Sequence, residues 1–118
     1  LQDDSAGDRV RQALVRAAAR GVSVRMVVDS FGSNETDDQF FEPLRAAGVA
    51  VEFFSRRWRS SYLIRNHQKM LIVDGDTLFF GGFNLSDCYF DGSSPTGWTD
   101  LGLLLTGPAA APMRDWFE

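Results

Sequence analysis

The 118 residues suffice for one hydrophobic core and are too few for two, and 44% hydrophobic with 24% charged residues is the balance of an ordinary globular domain. The formal net charge of −4 excludes the broad positive field of a general nucleic-acid binder, leaving room only for a local basic cleft. Cys88 is the sole cysteine, which excludes an internal disulfide and a cysteine-built metal cluster, and no apolar run reaches the roughly 20 residues that span a bilayer.

The opening LQDDSAGDRV has neither the basic region nor the apolar core of a signal peptide. A cytoplasmic or membrane-peripheral location is therefore expected, with no transmembrane or signal segment in this chain. Its apolar start and its end at DWFE give the expectation of a piece of a longer parent protein.

Residues 8–20 read as a helix, because Val10, Ala13, Leu14, Ala17 and Ala18 recur at the spacing of one buried stripe and Gly21 stands where a helix ends. Strand alternation follows in Val22, Val24, Met26 and Val28. The polar FGSNETDD carries helix-start chemistry at Ser33, Asn34 and Thr36, and a second helix packs Phe40, Phe41 and Leu44 inward before ending at Gly48. Pro43 would break that helix in its interior, so it either begins near Glu42 or kinks there. Residues 49–54 form a second strand, and the order helix, strand, helix, strand predicts a parallel βαβ unit. SRRWRSSY reads as a loop. Residues 69–73 and 77–81 are two apolar strands joined by Asp74, Gly75 and Asp76, a hairpin signal. SDCYFDGSSPTGW is read as a long surface loop, residues 101–105 as a buried strand, and GPAAAPMRDWFE as a closing helix with Pro108 near its first turn.

The reactive side chains concentrate in NHQKMLIVDGDTLFFGGFN, residues 66–84. His67 is the only histidine, and Lys69, two positions on, shares its face if the segment is a strand. Asp74 falls at a turn, and Gly81, Gly82 and Asn84 close the second half. With one histidine, any metal site would depend on carboxylates, whose spacing matches neither a calcium loop nor a zinc signature; no metal and no cofactor is expected.

The pattern H-x-K-x-x-x-x-D-x-x-x-x-x-x-G-G-x-N, from His67 to Asn84, resembles the HKD motif of the phospholipase D superfamily. Further stretches, RGV.VR, L..AGV.V..F, VDG..LFFGG.N, W.D and GP, resemble the motif-bearing half of cardiolipin synthase-like members, so the likeness covers nearly the whole chain. It implies an α/β fold, a phospholipase D-like half domain with a mixed, largely parallel sheet flanked by helices. Residues 1–118 are then one domain with one motif, a fragment of a longer two-motif protein. The implied activity is phosphodiester transfer or hydrolysis on phospholipids through a phosphohistidine.

These residue types suit a phosphodiester. An imidazole is a competent nucleophile towards phosphorus at neutral pH, and a covalent intermediate splits one hard displacement into two easier ones. His67 is the candidate nucleophile, and Lys69 brings a cation to the non-bridging oxygens. Asn84 offers an amide donor to another phosphate oxygen, while Gly81 and Gly82 let the main chain come close. In the family a carboxylate downstream of the motif holds the other imidazole nitrogen; here Asp100, in Trp98-Thr99-Asp100, is the choice, with Asp87 and Asp91 as alternatives. Asp74, a defining letter of the motif, is read as support that caps the hairpin turn. Plainer readings stand beside these: a structural histidine, glycines that relieve crowding at a strand end, Asn84 as a helix cap for LSDCYF, and Asp100 in a surface pair with an arginine.

Arg56, Arg57, Trp58, Arg59 and Arg65 form the one basic cluster, suited to an anionic lipid surface or, less so, to a nucleic-acid backbone, and equally readable as a solvated loop. Asp3, Asp4, Asp37 and Asp38 read as solvated or helix-start acids. Superfamily enzymes resemble a two-fold arrangement in which one histidine attacks and another protonates the leaving group, and one side chain cannot do both at once. The missing partner is a second HKD half in the parent chain or, in the manner of single-motif nucleases, a homodimer mate. A non-catalytic binding or scaffold half is the reading from outside enzymology.

Overall fold

The computed structural model describes residues 1–30, 33, 36–54, 66–90 and 97–117. Arg56, Arg57, Trp58, Arg59, Arg65, Asn34 and Asp91 lie outside the described residues. The chain divides into two compact units, Leu1–His67 with Leu85–Gly97, and Gln68–Asn84 with Trp98–Glu118. Its class is α/β, as expected. Among the described residues the parallel pairing is confined to a two-stranded sheet in the first unit, while the second unit holds a three-stranded antiparallel sheet.

In the first unit, α1 (Ser5–Ala19) starts three residues earlier than the apolar spacing indicates, because Asp4 accepts a hydrogen bond from the Gly7 N–H at 2.9 Å. Its core-facing residues are Leu14, Val15 and Ala18, whereas Ala13 is exposed, so the stripe is turned from the expected one. The helix closes with the paired bonds of a Schellman motif, Val22 N–H to Ala17 O and Gly21 N–H to Ala18 O, around Gly21 at φ 89°. The same closure recurs at Gly48, φ 88°, after α2 (Glu42–Ala46), with Val49 N–H to Leu44 O and Gly48 N–H to Arg45 O. Each closure feeds a strand: β1 (Arg25–Asp29) and β2 (Ala50–Phe54), parallel and in register from Arg25 with Ala50 to Asp29 with Phe54. The expected βαβ unit is present.

Pro43 settles as a helix start. A 3₁₀ turn, Asp38–Phe41, precedes α2, and the proline occupies the first turn of α2, where no N–H is needed. The cap of the 3₁₀ turn is Asp37, which accepts from the Gln39 N–H at 3.0 Å, while Thr36 donates to the Leu1 carbonyl at 2.9 Å. Val28, Phe40, Phe41, Leu44 and Val49 form the core of this unit, and the Phe41 ring meets Phe40 and Phe53 edge-on at centroid distances of 5.4 and 5.2 Å.

The short helix α3 (Asp87–Phe90) interrupts what the composition marks as loop. Asp87 accepts from the N–H groups of Ser5 at 3.2 Å and Ala6 at 2.7 Å, and Asp4 accepts from the Asp87 N–H at 2.8 Å. The two carboxylates thus cap α1 and α3 reciprocally, which satisfies main-chain donors that would otherwise be orphaned.

In the second unit, β3 (Lys69–Val73) and β4 (Thr77–Gly81) form the hairpin at the expected residues. Asp74 and Gly75 both take positive φ, 52° and 76°, and the Asp76 N–H reaches the Val73 carbonyl at 3.3 Å, the pattern of a type I′ turn. β5 (Gly102–Thr106) adds antiparallel to β4. Contrary to the sequence expectation it is exposed along its length, with Leu104 57% accessible; a run of three leucines marks a strand without telling which face is covered. A 3₁₀ turn, Pro108–Ala110, leads into α4 (Ala111–Phe117), and the Gly107 N–H donates to the Asp76 carbonyl at 2.7 Å, tying this end to the hairpin turn. No described helix is long and apolar enough to cross a membrane.

Truncating the Phe41 side chain, which is 1% accessible, should cost about 3–5 kcal/mol, read as a lower midpoint of urea unfolding. Asp87→Ala should cost about 1–2 kcal/mol in the same measurement, because it strips the cap from the first turn of α1.

Candidate functional site

The hairpin register decides which motif residues meet. Lys69 pairs with Gly81, and Gly81 in turn with Gly102, so one row crosses all three strands at the end remote from the turn. Gly82 follows that row out of β4, and Asp100 precedes it on the way into β5. The Asp100 carboxylate lies directly on Gly82: a methyl group at position 82 would sit 2.8 Å from either carboxylate oxygen. Any side chain there displaces Asp100, which gives the second glycine of the motif a specific reason to be glycine. Oδ1 of Asp100 also accepts from the Leu101 N–H at 2.7 Å.

Lys69, Gly82 and Asp100 are therefore brought to one end of the antiparallel sheet. Lys69 is half-buried there, and Asp100 and Gly82 are exposed. Asn84, half-buried, comes two residues after Gly82. Ser86 holds the position before α3, and its carbonyl accepts from the Tyr89 N–H at 3.1 Å. His67 is exposed and ends the first segment of the other unit, two residues ahead of Lys69. β3 begins at Lys69, so the strand alternation that would put both on one face does not extend to His67.

Asp74 is elsewhere. It stands at the far end of β3, five residues of extended chain or about 17 Å from Lys69. Its carboxylate is exposed, and the bonds that close the turn run between main-chain groups. The support it gives is its left-handed backbone, a conformation that aspartate tolerates, instead of the expected capping carboxylate. Gly75 beside it lies under Arg114 of α4, whose Cδ would be 3.0 Å from an added methyl.

Of the alternative carboxylates, Asp87 is committed to the start of α1. Two other residues of this end of the sheet had no signal in the spacing: Phe83, inside the motif at an unspecified position, and Gly102, which only the β4–β5 register links to Gly81. Among the described residues no group of three or more histidine, cysteine or acidic side chains is placed to hold a metal ion.

Comparison with known proteins covers nearly the whole chain. The family described as cardiolipin synthase, PLD-like domain, matches residues 5–118. Cardiolipin synthase A of Pseudomonas fluorescens (strain Pf-5) is 35% identical, over 99% of this chain and 26% of its own length. The major cardiolipin synthase ClsA of Bacillus subtilis (strain 168) is 39% identical, over 97% of this chain and 25% of its own. Cardiolipin synthase A of Pseudomonas aeruginosa (strain LESB58) is 35% identical, over 99% and 25%. The chain thus spans about a quarter of the length of these curated relatives, and no solved structure gives a significant match. With the family match running through every element from α1 to α4, the chain belongs to the phospholipase D-like domain family of the cardiolipin synthases.

Proposed function

We propose that this domain contributes one half of a phosphodiester-transfer site acting on phospholipid head-group esters, with a phosphohistidine on His67 as the intermediate. The observation that carries the reading is the gathering of Lys69, Gly82 and Asp100 at one end of the antiparallel sheet, with His67 two residues before Lys69, in a chain of this family.

In the first step a neutral imidazole nitrogen of His67 attacks phosphorus and the P–O bond to the leaving alcohol breaks. Asp100 accepts the N–H of the other imidazole nitrogen and favours the cationic phosphohistidine that results. Lys69 and the Asn84 amide hold the non-bridging oxygens, and Gly82 keeps the main chain close enough for the phosphate to settle. The leaving oxygen takes its proton from a second histidine on the opposite side of phosphorus. In the second step an acceptor alcohol, or water, loses its proton to that second histidine and displaces His67, which restores the free imidazole. Asp74 takes no part in these transfers and maintains the hairpin.

The second histidine comes from another HKD half. The relatives, about four times as long as this chain, support a second half in the same polypeptide over a homodimer mate. A phospholipid substrate also accords with the names of those relatives, cardiolipin synthases.

With both halves assembled and a phosphatidyl donor supplied, His67→Asn should reduce turnover to background and abolish acid-labile labelling of the protein by phosphorus; turnover at the normal rate would remove His67 as nucleophile. Asp100→Asn should lower kcat about 10–100-fold with little change in unfolding midpoint. Asp87→Asn should do the reverse, since its carboxylate serves α1.

A further inference from the structure

We propose that Phe83 is the positioning residue of this phosphate site, seated in a slot made by the cross-strand glycine pair Gly81 and Gly102; the inference rests on the function proposed above. Gly81 and Gly102 face each other directly across β4 and β5. A methyl group on Gly81 would lie 2.6 Å from Cε1 of the Phe83 ring and 2.8 Å from its Cδ1, and one on Gly102 would lie 2.8 Å from the same Cε1. The ring therefore occupies the space that two neighbouring side chains would normally fill. Two glycines side by side weaken a sheet, and an aromatic ring laid across them restores the lost contact.

The location of the ring gives it a role beyond packing. Residues directly opposite in an antiparallel ladder share a face, so the slot over Gly81 is on the face that carries Lys69. Phe83 is also the link between Gly82, on which Asp100 rests, and Asn84. Seating its ring fixes the main chain on both sides at once. Without that seat, the segment after β4 would depend on Gly82, the residue with the most conformational freedom, to keep its course. A displacement of about 1 Å at such a point costs on the order of 100-fold in rate.

The test uses the full-length protein with its second motif, and phosphatidyl-p-nitrophenol in mixed micelles as the probe. This leaving group departs with little need of protonation, so the burst of nitrophenolate reports attack by His67 apart from the second histidine. Gly102→Ala should slow the burst about 10–100-fold with KM within about twofold. Adding Phe83→Leu should recover most of that loss, because the shorter side chain gives the new methyl room. A wild-type burst rate in Gly102→Ala, or a further independent loss in the double variant, overturns the proposal. Phe83→Ala introduces no clash and keeps the test valid if Gly102→Ala does not fold; it should slow the burst at unchanged KM, and a wild-type rate overturns the proposal equally. Absence of a burst in the unsubstituted protein, or its persistence in His67→Asn, defeats instead the functional reading on which the proposal stands.

Discussion

Register in the β3–β4 hairpin is the constraint on which the rest of the second unit depends. Side chains alternate along a strand, so a slip of one residue would carry Lys69 to the opposite face and place a different partner across from it. The register is set at the turn, where Asp74 and Gly75 adopt the two consecutive positive φ values that suit the twist of a tight hairpin. An aspartate at the far end of β3 thereby decides that Lys69 stands opposite Gly81, and through Gly81 that Gly102 completes the row. The turn is held in its own right: the Asp76 carbonyl receives the Gly107 N–H, and Arg114 covers Gly75.

The first unit rests on local chain chemistry instead. Two Schellman closures turn the chain from helix into strand, and a buried aromatic cluster around Phe41 sits between the elements they join. Among the described residues, cation–π contacts add to this packing, with the Arg11 guanidinium 4.6 Å from the Phe40 ring centroid and that of Arg45 5.8 Å from Phe53. These use the arginine stems as apolar cover while their charges remain near Asp8, Asp38 and Glu42.

Signals that act within a few residues were legible in the sequence. The hairpin bounds, the glycine closures at positions 21 and 48, the proline at the start of α2 and the parallel βαβ order all follow from such signals. Long-range pairings were not. Nothing near Asp87 announces that it caps a helix more than eighty residues upstream, and the exposure of β5 depends on what lies over it. The turned stripe of α1 has a related cause, since alanines are compatible with both the buried and the exposed side and Val15 decides the matter only in three dimensions. At the site, the motif letters were readable, but Phe83 and Gly102 gain their significance from a ladder pairing that no spacing rule encodes.

The division of the chain has a consequence for dissection. The polypeptide crosses from one unit to the other three times, after residues 67, 84 and 97, so neither unit is a continuous stretch of sequence. A cut after Asn84 would deprive the hairpin of β5 and α4, and would take from α1 the Asp87 carboxylate that accepts from its first two N–H groups. The two units can be distinguished in space yet not inherited, expressed or exchanged separately. The motif straddles the first of these crossings, with His67 on one side and Lys69 on the other. Recombination that swaps either unit intact would need all three junctions in register, and a single crossover within residues 68–84 would divide the hairpin itself.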